Sequence, residues 1–78
     1  MKILYFASLK EALDCAGEDL EINQEITVAA LRSQLTEKHG AKHFPDNILC
    51  AVNQALADDN LLLSNSDEVA FYPPVTGG

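Results

Sequence analysis

One stretch of this chain reads as a full amphipathic helix with short β-rich runs on either side, and that arrangement limits the fold more than any other feature. Thr27 stands at an N-cap position, and Val28, Leu31 and Leu35 follow at the spacing of a single apolar stripe. Lys38 and His39 fall in the last turn, where the helix dipole favours positive charge and keeps His39 solvated, and Gly40 ends the helix. A helix with one apolar stripe must lay it on another element, and the flanking runs supply a sheet.

Those runs have distinct characters. Residues 1–7 are aromatic and aliphatic on both faces apart from Lys2, which predicts an interior strand. Ser8-Leu9-Lys10-Glu11 has the form of a capping box, so a short helix over residues 9–16 is expected, burying Leu9, Ala12, Leu13 and Ala16 and closed by Gly17 in a left-handed conformation. In residues 18–22, Leu20 and Ile22 alternate with Glu18, Asp19 and Glu21, the pattern of an edge strand with its charges in water. Residues 48–53 read as a fully apolar strand with Cys50 in the core. Residues 55–63 read as short strand pieces around an Asp58-Asp59-Asn60 turn. Ser64 to Asp67 form a second turn, and residues 68–72 the last strand. The order implies an α+β roll with one main helix across a sheet; the strand pairing does not follow from it.

With 78 residues, 47% hydrophobic and only 6% aromatic, the chain can build one aliphatic core but not a deep substrate pocket as well. That argues against a self-sufficient enzyme. Twelve acidic residues against five basic ones give a net charge of −7, which disfavours nucleic acid and membrane surfaces as partners and suits either a basic protein partner or simply a soluble surface. The apolar start is too short for a secretory signal and Lys10-Glu11 follows it at once, so a cytoplasmic location is expected. Cys15 and Cys50 match no metal or redox spacing and read as free thiols. His39 and His43 are four apart, but Gly40 interrupts the helix between them and no third ligand is near, so no metal site is expected. Ser8 lacks a partner that would make it a nucleophile.

The chemistry concentrates after residue 72, dividing the chain into a domain (1–72) and an extended functional tail (73–78). Pro73 and Pro74 cannot donate to a sheet and hold the backbone extended; Gly77 and Gly78 close the chain with no side chain at all. An arm of that length reaches roughly 20 Å at most. A slender glycine tip suits a carboxyl group that must enter another protein's narrow site, although glycine-rich termini also occur as idle ends. Val69, Ala70, Phe71 and Tyr72 are apolar in succession, so a hydrophobic patch is expected on an open sheet face near the tail; of Phe71 and Tyr72, one belongs to the core and the other to a partner surface.

The run from Glu68 through Phe71-Tyr72-Pro73-Pro74-Val75-Thr76-Gly77-Gly78 resembles the C-terminal signature of the molybdopterin synthase small-subunit family, as do the opening strand and Val52-Asn53. That family often has Gly-Asp-Glu where this chain has Ser66-Asp67-Glu68. The resemblance implies a ubiquitin-like β-grasp fold with a mixed sheet. It further implies a sulfur carrier for molybdenum cofactor biosynthesis with no catalytic side chains of its own. A ubiquitin-activating-type adenylyltransferase would use ATP to adenylate the Gly78 carboxyl, and a sulfur donor protein would convert it to a thiocarboxylate. Residues 71–77 would engage the large synthase subunit in a heterotetramer of two small and two large subunits, where the sulfur attacks the pyranopterin precursor. No cofactor would be bound stably. A thiamine-pathway sulfur carrier and a ubiquitin-like protein modifier end in the same Gly-Gly; Pro73-Pro74-Val75-Thr76 favours the molybdopterin type.

Overall fold

The computed structural model describes residues 1–74. In chain order the elements are β1 (Lys2–Tyr5), α1 (Ala7–Leu13), β2 (Gly17–Asp19), β3 (Ile26–Thr27), α2 (Val28–His39), β4 (Leu49–Val52), β5 (Ala55–Leu56), β6 (Leu62–Leu63) and β7 (Glu68–Tyr72). The main sheet runs β2-β1-β7-β4-β5. Its centre is the last strand. β7 lies parallel to β1, with Ile3 beside Val69 and Tyr5 beside Phe71, and antiparallel to β4, with Cys50 beside Phe71 and Val52 beside Val69. The sheet is therefore mixed, and a parallel pair at its middle requires a crossover, which α2 supplies.

Alternation along the strands sends Ile3, Tyr5, Cys50, Val52, Val69 and Phe71 to one face, all buried. There they meet the α2 stripe of Val28, Leu31 and Leu35, together with Leu9 of α1. Phe44 and Ile48, from the loop before β4, complete the layer. Tyr5, Phe44 and Phe71 form an aromatic triangle with centroids 5.3 to 6.4 Å apart. Arg32 spans its side: the guanidinium lies 5.8 Å from the Phe71 centroid, donates to the Ile48 carbonyl and pairs with Asp59 at 3.5 Å.

The α2 N-terminus resolves the ambiguous stretch at 55–63. Thr27 Oγ1 accepts from Ala30 N at 3.1 Å, as a cap should. The other two leading amides donate outside the helix, Val28 N to the Leu61 carbonyl and Ala29 N to the Asp59 carbonyl. β6 then pairs with β3 as a small second sheet at the helix entrance, Ile26 opposite Leu63 and Thr27 opposite Leu62. The amides of Val28, Ala29 and Ala30, which have no partner within the helix, are thus all satisfied.

The first helix departs from its sequence signals at both ends. Phe6 keeps extended geometry and donates its N–H to the Phe71 carbonyl, so the N-cap falls on Phe6; Ser8 lies inside the first turn and makes no capping bond. The helix ends at Asp14, which takes the left-handed conformation (φ 52°), a region open to aspartate. Ala12 and Ala16 are exposed and Leu13 half-buried, leaving Leu9 as the buried anchor. Gly17 is not the cap but the first residue of β2 beside Leu4, where a Cβ would lie 2.5 Å from the Ile3 carbonyl oxygen. It is a glycine for close strand approach, not for handedness. Ser66, in the turn where the resembling family often has glycine, is absent from the positive-φ residues and so keeps ordinary backbone geometry.

Candidate functional site

The strand that fills the core also builds the surface. Alternate residues of β7, Ala70 and Tyr72, point away from the helices. The register extends them into rows across the sheet: Leu4, Ala70, Ala51 and Leu56 side by side in one, Tyr72 beside Leu49 in the next. Phe6 continues the alternation of Lys2 and Leu4 beyond β1. Leu56 is 74% exposed, Phe6 47% and Leu49 36%. This is a contiguous apolar face that no described helix covers, the patch expected from the run at 69–72. A solvated antiparallel face ordinarily carries polar residues at these positions.

The root of the tail leaves from one corner of that face. Phe71 is fully buried and offers nothing to a partner; Tyr72 is half-buried on the outer face, Pro73 half-buried and Pro74 exposed. The expectations for Val75, Thr76, Gly77 and Gly78 lie outside the described residues. On the helix side of the root, Pro73 and Pro74 line a groove of about 310 Å³ with Leu9 and Ala12 of α1 and with Lys42, His43 and Ile48 of the loop between α2 and β4.

The start of β7 is held in register by polar contacts. Asn53 N donates to the Glu68 carbonyl at 2.8 Å, and Asn53 Oδ1 accepts from Glu68 N at 3.0 Å. Asn53 Nδ2 donates to Asp67, whose other carboxylate oxygen accepts from Ser64 N at 2.8 Å. The Ser64 amide and the Asn53 side chain hold the Asp67 carboxyl below the usual carboxylate range. Asn53 and Gln54 both have positive φ, the geometry of a tight two-residue hairpin turn. The register that places Tyr72 and the tail is thus fixed from the opposite end of the strand.

A second polar cluster lies at the β2 edge, and it overturns two expectations. Glu18 is not a solvated edge charge. One of its oxygens accepts from the Tyr5 hydroxyl at 2.6 Å and sits 3.0 Å from His39 Nε2, while the other pairs with Lys38. Burial alone would raise the Glu18 pKa, but the hydrogen bonds from Lys38, Tyr5 and His39 outweigh it and hold the carboxyl at about 2. Burial, and then the bond to Glu18, push the Tyr5 hydroxyl far above its ordinary value. His39 is half-buried in this contact rather than solvated, its ring edge-on to Tyr5. Nothing in the spacing of residues 5, 18, 38 and 39 announces the cluster, because only the pairing of β1 with β2 under the end of α2 assembles it.

No group of residues that could hold a metal ion occurs among the described residues. The Cys50 thiol is buried, and burial pushes it up to about 11 although Arg32 pulls the other way, so it is a core side chain and not a nucleophile. Half-buried Cys15 donates its thiol to the Gly17 carbonyl. No described helix is long and apolar enough to cross a membrane. Within the described residues, the arrangement sets the root of the tail beside an open apolar face.

Comparison with known proteins agrees with that picture. Residues 3–78 match the ThiS family. The molybdopterin synthase sulfur carrier subunit of Drosophila melanogaster is 33% identical over 97% of this chain and 88% of its own. Among solved structures, the complex of subunits 1 and 2 of molybdopterin-converting factor from Helicobacter pylori contains a chain 29% identical, with a TM-score of 0.71 over 99% of this chain and 96% of that one. SAMP1 from Haloferax volcanii, 25% identical, superposes with a TM-score of 0.79 over 100% of this chain and 98% of its own. These neighbours share the ubiquitin-like β-grasp fold with this chain.

Proposed function

Because this chain belongs to the ThiS family, we propose that it is the sulfur-carrier subunit of a molybdopterin synthase and that its working group is the terminal carboxyl of Gly78. One observation carries the reading: across its full length the chain is similar to sulfur carrier subunits, and its central strand delivers an open apolar face and the tail root at the same corner. The face supplies the buried area that holds a partner, and the tail supplies the reactive end.

In this reading the Gly78 carboxylate attacks the α-phosphorus of ATP on an activating adenylyltransferase, and pyrophosphate leaves. Sulfide-level sulfur supplied by a donor protein then attacks the acyl carbon and AMP leaves, giving a thiocarboxylate. The charged tail enters the large synthase subunit, the kind of partner seen with the Helicobacter pylori relative, in an assembly of two small and two large subunits. There the thiocarboxylate sulfur bonds to the pyranopterin precursor, and hydrolysis of the acyl–sulfur bond leaves the sulfur on the precursor and returns the Gly78 carboxylate. A thiocarboxylate is ionised at neutral pH and needs no helper base from this chain. ATP and precursor are substrates held by partners, and this chain keeps no resident cofactor.

The likeness to SAMP1 favours a second reading, a protein modifier whose glycine carboxyl forms an amide with lysine. Mass spectrometry of protein from cells separates the two. A gain equal to the difference between sulfur and oxygen marks a carrier, and conjugate ladders mark a modifier. Deleting Gly78 withdraws the reactive carbon by roughly 3.5 Å, far more than reacting atoms tolerate. The truncated chain should therefore melt as the full chain does but form neither adenylate nor thiocarboxylate. Normal sulfur loading of that chain would sink the proposal.

A further inference from the structure

We propose that the groove at the tail root is a second docking element, a seat for a short acidic segment of the large synthase subunit. The inference rests on the carrier reading above and extends it to the other side of the tail. Leu9 and Ile48 give the groove a buried apolar floor, Pro73 and Pro74 form one wall, and Lys42 and His43 are exposed on the loop opposite.

Two observations select this occupant. The first is charge. The chain has five lysines and arginines against twelve carboxylates. Arg32 and Lys38 are engaged with Asp59 and Glu18. Among the described residues Lys2, Lys10, Lys42 and His43 make no ion pair, and of the three lysines only Lys42 lines this groove; Asp46, the loop's nearest carboxylate in sequence, lines the neighbouring groove with Arg32 and Glu37 instead. On a surface with a net charge of −7, a site with an unpaired lysine and a histidine able to donate a hydrogen bond over an apolar floor is where an acidic partner segment meets attraction rather than repulsion. The second is continuity. A protein that encloses the tail must surround Pro73 and Pro74, and those prolines are the groove wall, so the enclosing protein lies on the groove when the tail is inserted. The apolar sheet face gives area without polarity of direction, whereas a charge contact beside the root fixes the rotation at which the tail enters.

The test is a binding titration of the full chain with the large synthase subunit at low and high salt. The double variant Lys42→Glu, His43→Glu should bind about tenfold more weakly than wild type at low salt, with the gap closing at high salt, while Lys42→Arg binds as wild type does. Both side chains are exposed, so the melt should not move. Unchanged affinity in the double variant would overturn the proposal, as would a loss indifferent to salt. So would weakened binding to the activating adenylyltransferase with the large subunit unaffected, because the seat would then belong to a different partner. If wild-type protein formed no complex with the large subunit at all, the carrier reading and the groove would fall together; a wild-type complex insensitive to the charge reversal removes the groove alone.

Discussion

The two edges of the main sheet are built on opposite terms. At one edge, β2 is locked to the end of α2 through Tyr5, Glu18, Lys38 and His39, with three hydrogen-bonding partners converging on one carboxylate. At the other, β5 is two residues long, and its Leu56 is the most exposed large hydrophobic residue described. An unprotected strand edge invites pairing with other chains, so small domains blunt it by charge or by brevity. This chain blunts one edge with charge and the other with brevity. The polar cluster ties β2 to the end of α2, and in the proposed reading the apolar edge is left for association.

The largest test of that contrast is Leu56→Asp. A charge at the exposed edge of the apolar row should weaken the complex with the large subunit about a hundredfold, measured by titration. Folding stability should stay within about 0.5 kcal/mol, since the side chain is 74% exposed in the free domain. A large drop in the melt would mean that this edge is structural after all.

Glu18→Ala should do the reverse. It strands the buried Tyr5 hydroxyl and removes the partner of Lys38 and His39, costing about 2 kcal/mol of folding stability by denaturant titration and leaving partner affinity unchanged. Equal stability of variant and wild type would reduce the cluster to a surface ornament.

The smallest effect is the response to acid. Glu18 has its folded pKa near 2, below its ordinary value of 4.5. Its contribution is therefore fully present above 4.5 and lost as pH falls toward 2. Wild type should lose about 1 kcal/mol by roughly pH 3.5 on this account. Glu18→Gln should show a flatter profile over that window, and parallel profiles would assign the acid sensitivity to other carboxylates, Asp67 among them.

Local signals were most reliable where one element could satisfy them alone. Thr27, the Val28-Leu31-Leu35 stripe and Gly40 define α2 as read, because capping and periodicity act within a turn or two. The Ser8 capping box failed since Phe6 was held in strand geometry by β7, a partner more than sixty positions away in the chain. Gly17 was misassigned for the same reason: its use is set by Leu4 and Ile3 across the ladder, not by its neighbours.

The same division runs through the functional site. The sequence alone determined that the last strand is apolar on both faces and that two prolines and two glycines follow it, since these are properties of consecutive residues. Tertiary structure decided which side of that strand faces water, sending Phe71 inward and Tyr72 outward, and it brought Phe6, Leu49 and Leu56 beside Tyr72, Ala70 and Leu4. It also gathered Glu18, Tyr5, Lys38 and His39 into one cluster. The physical reason is that a strand's period of two names two faces but not which is buried; burial is settled only when a helix covers one of them, and contacts between distant residues exist only once the pairing register is set.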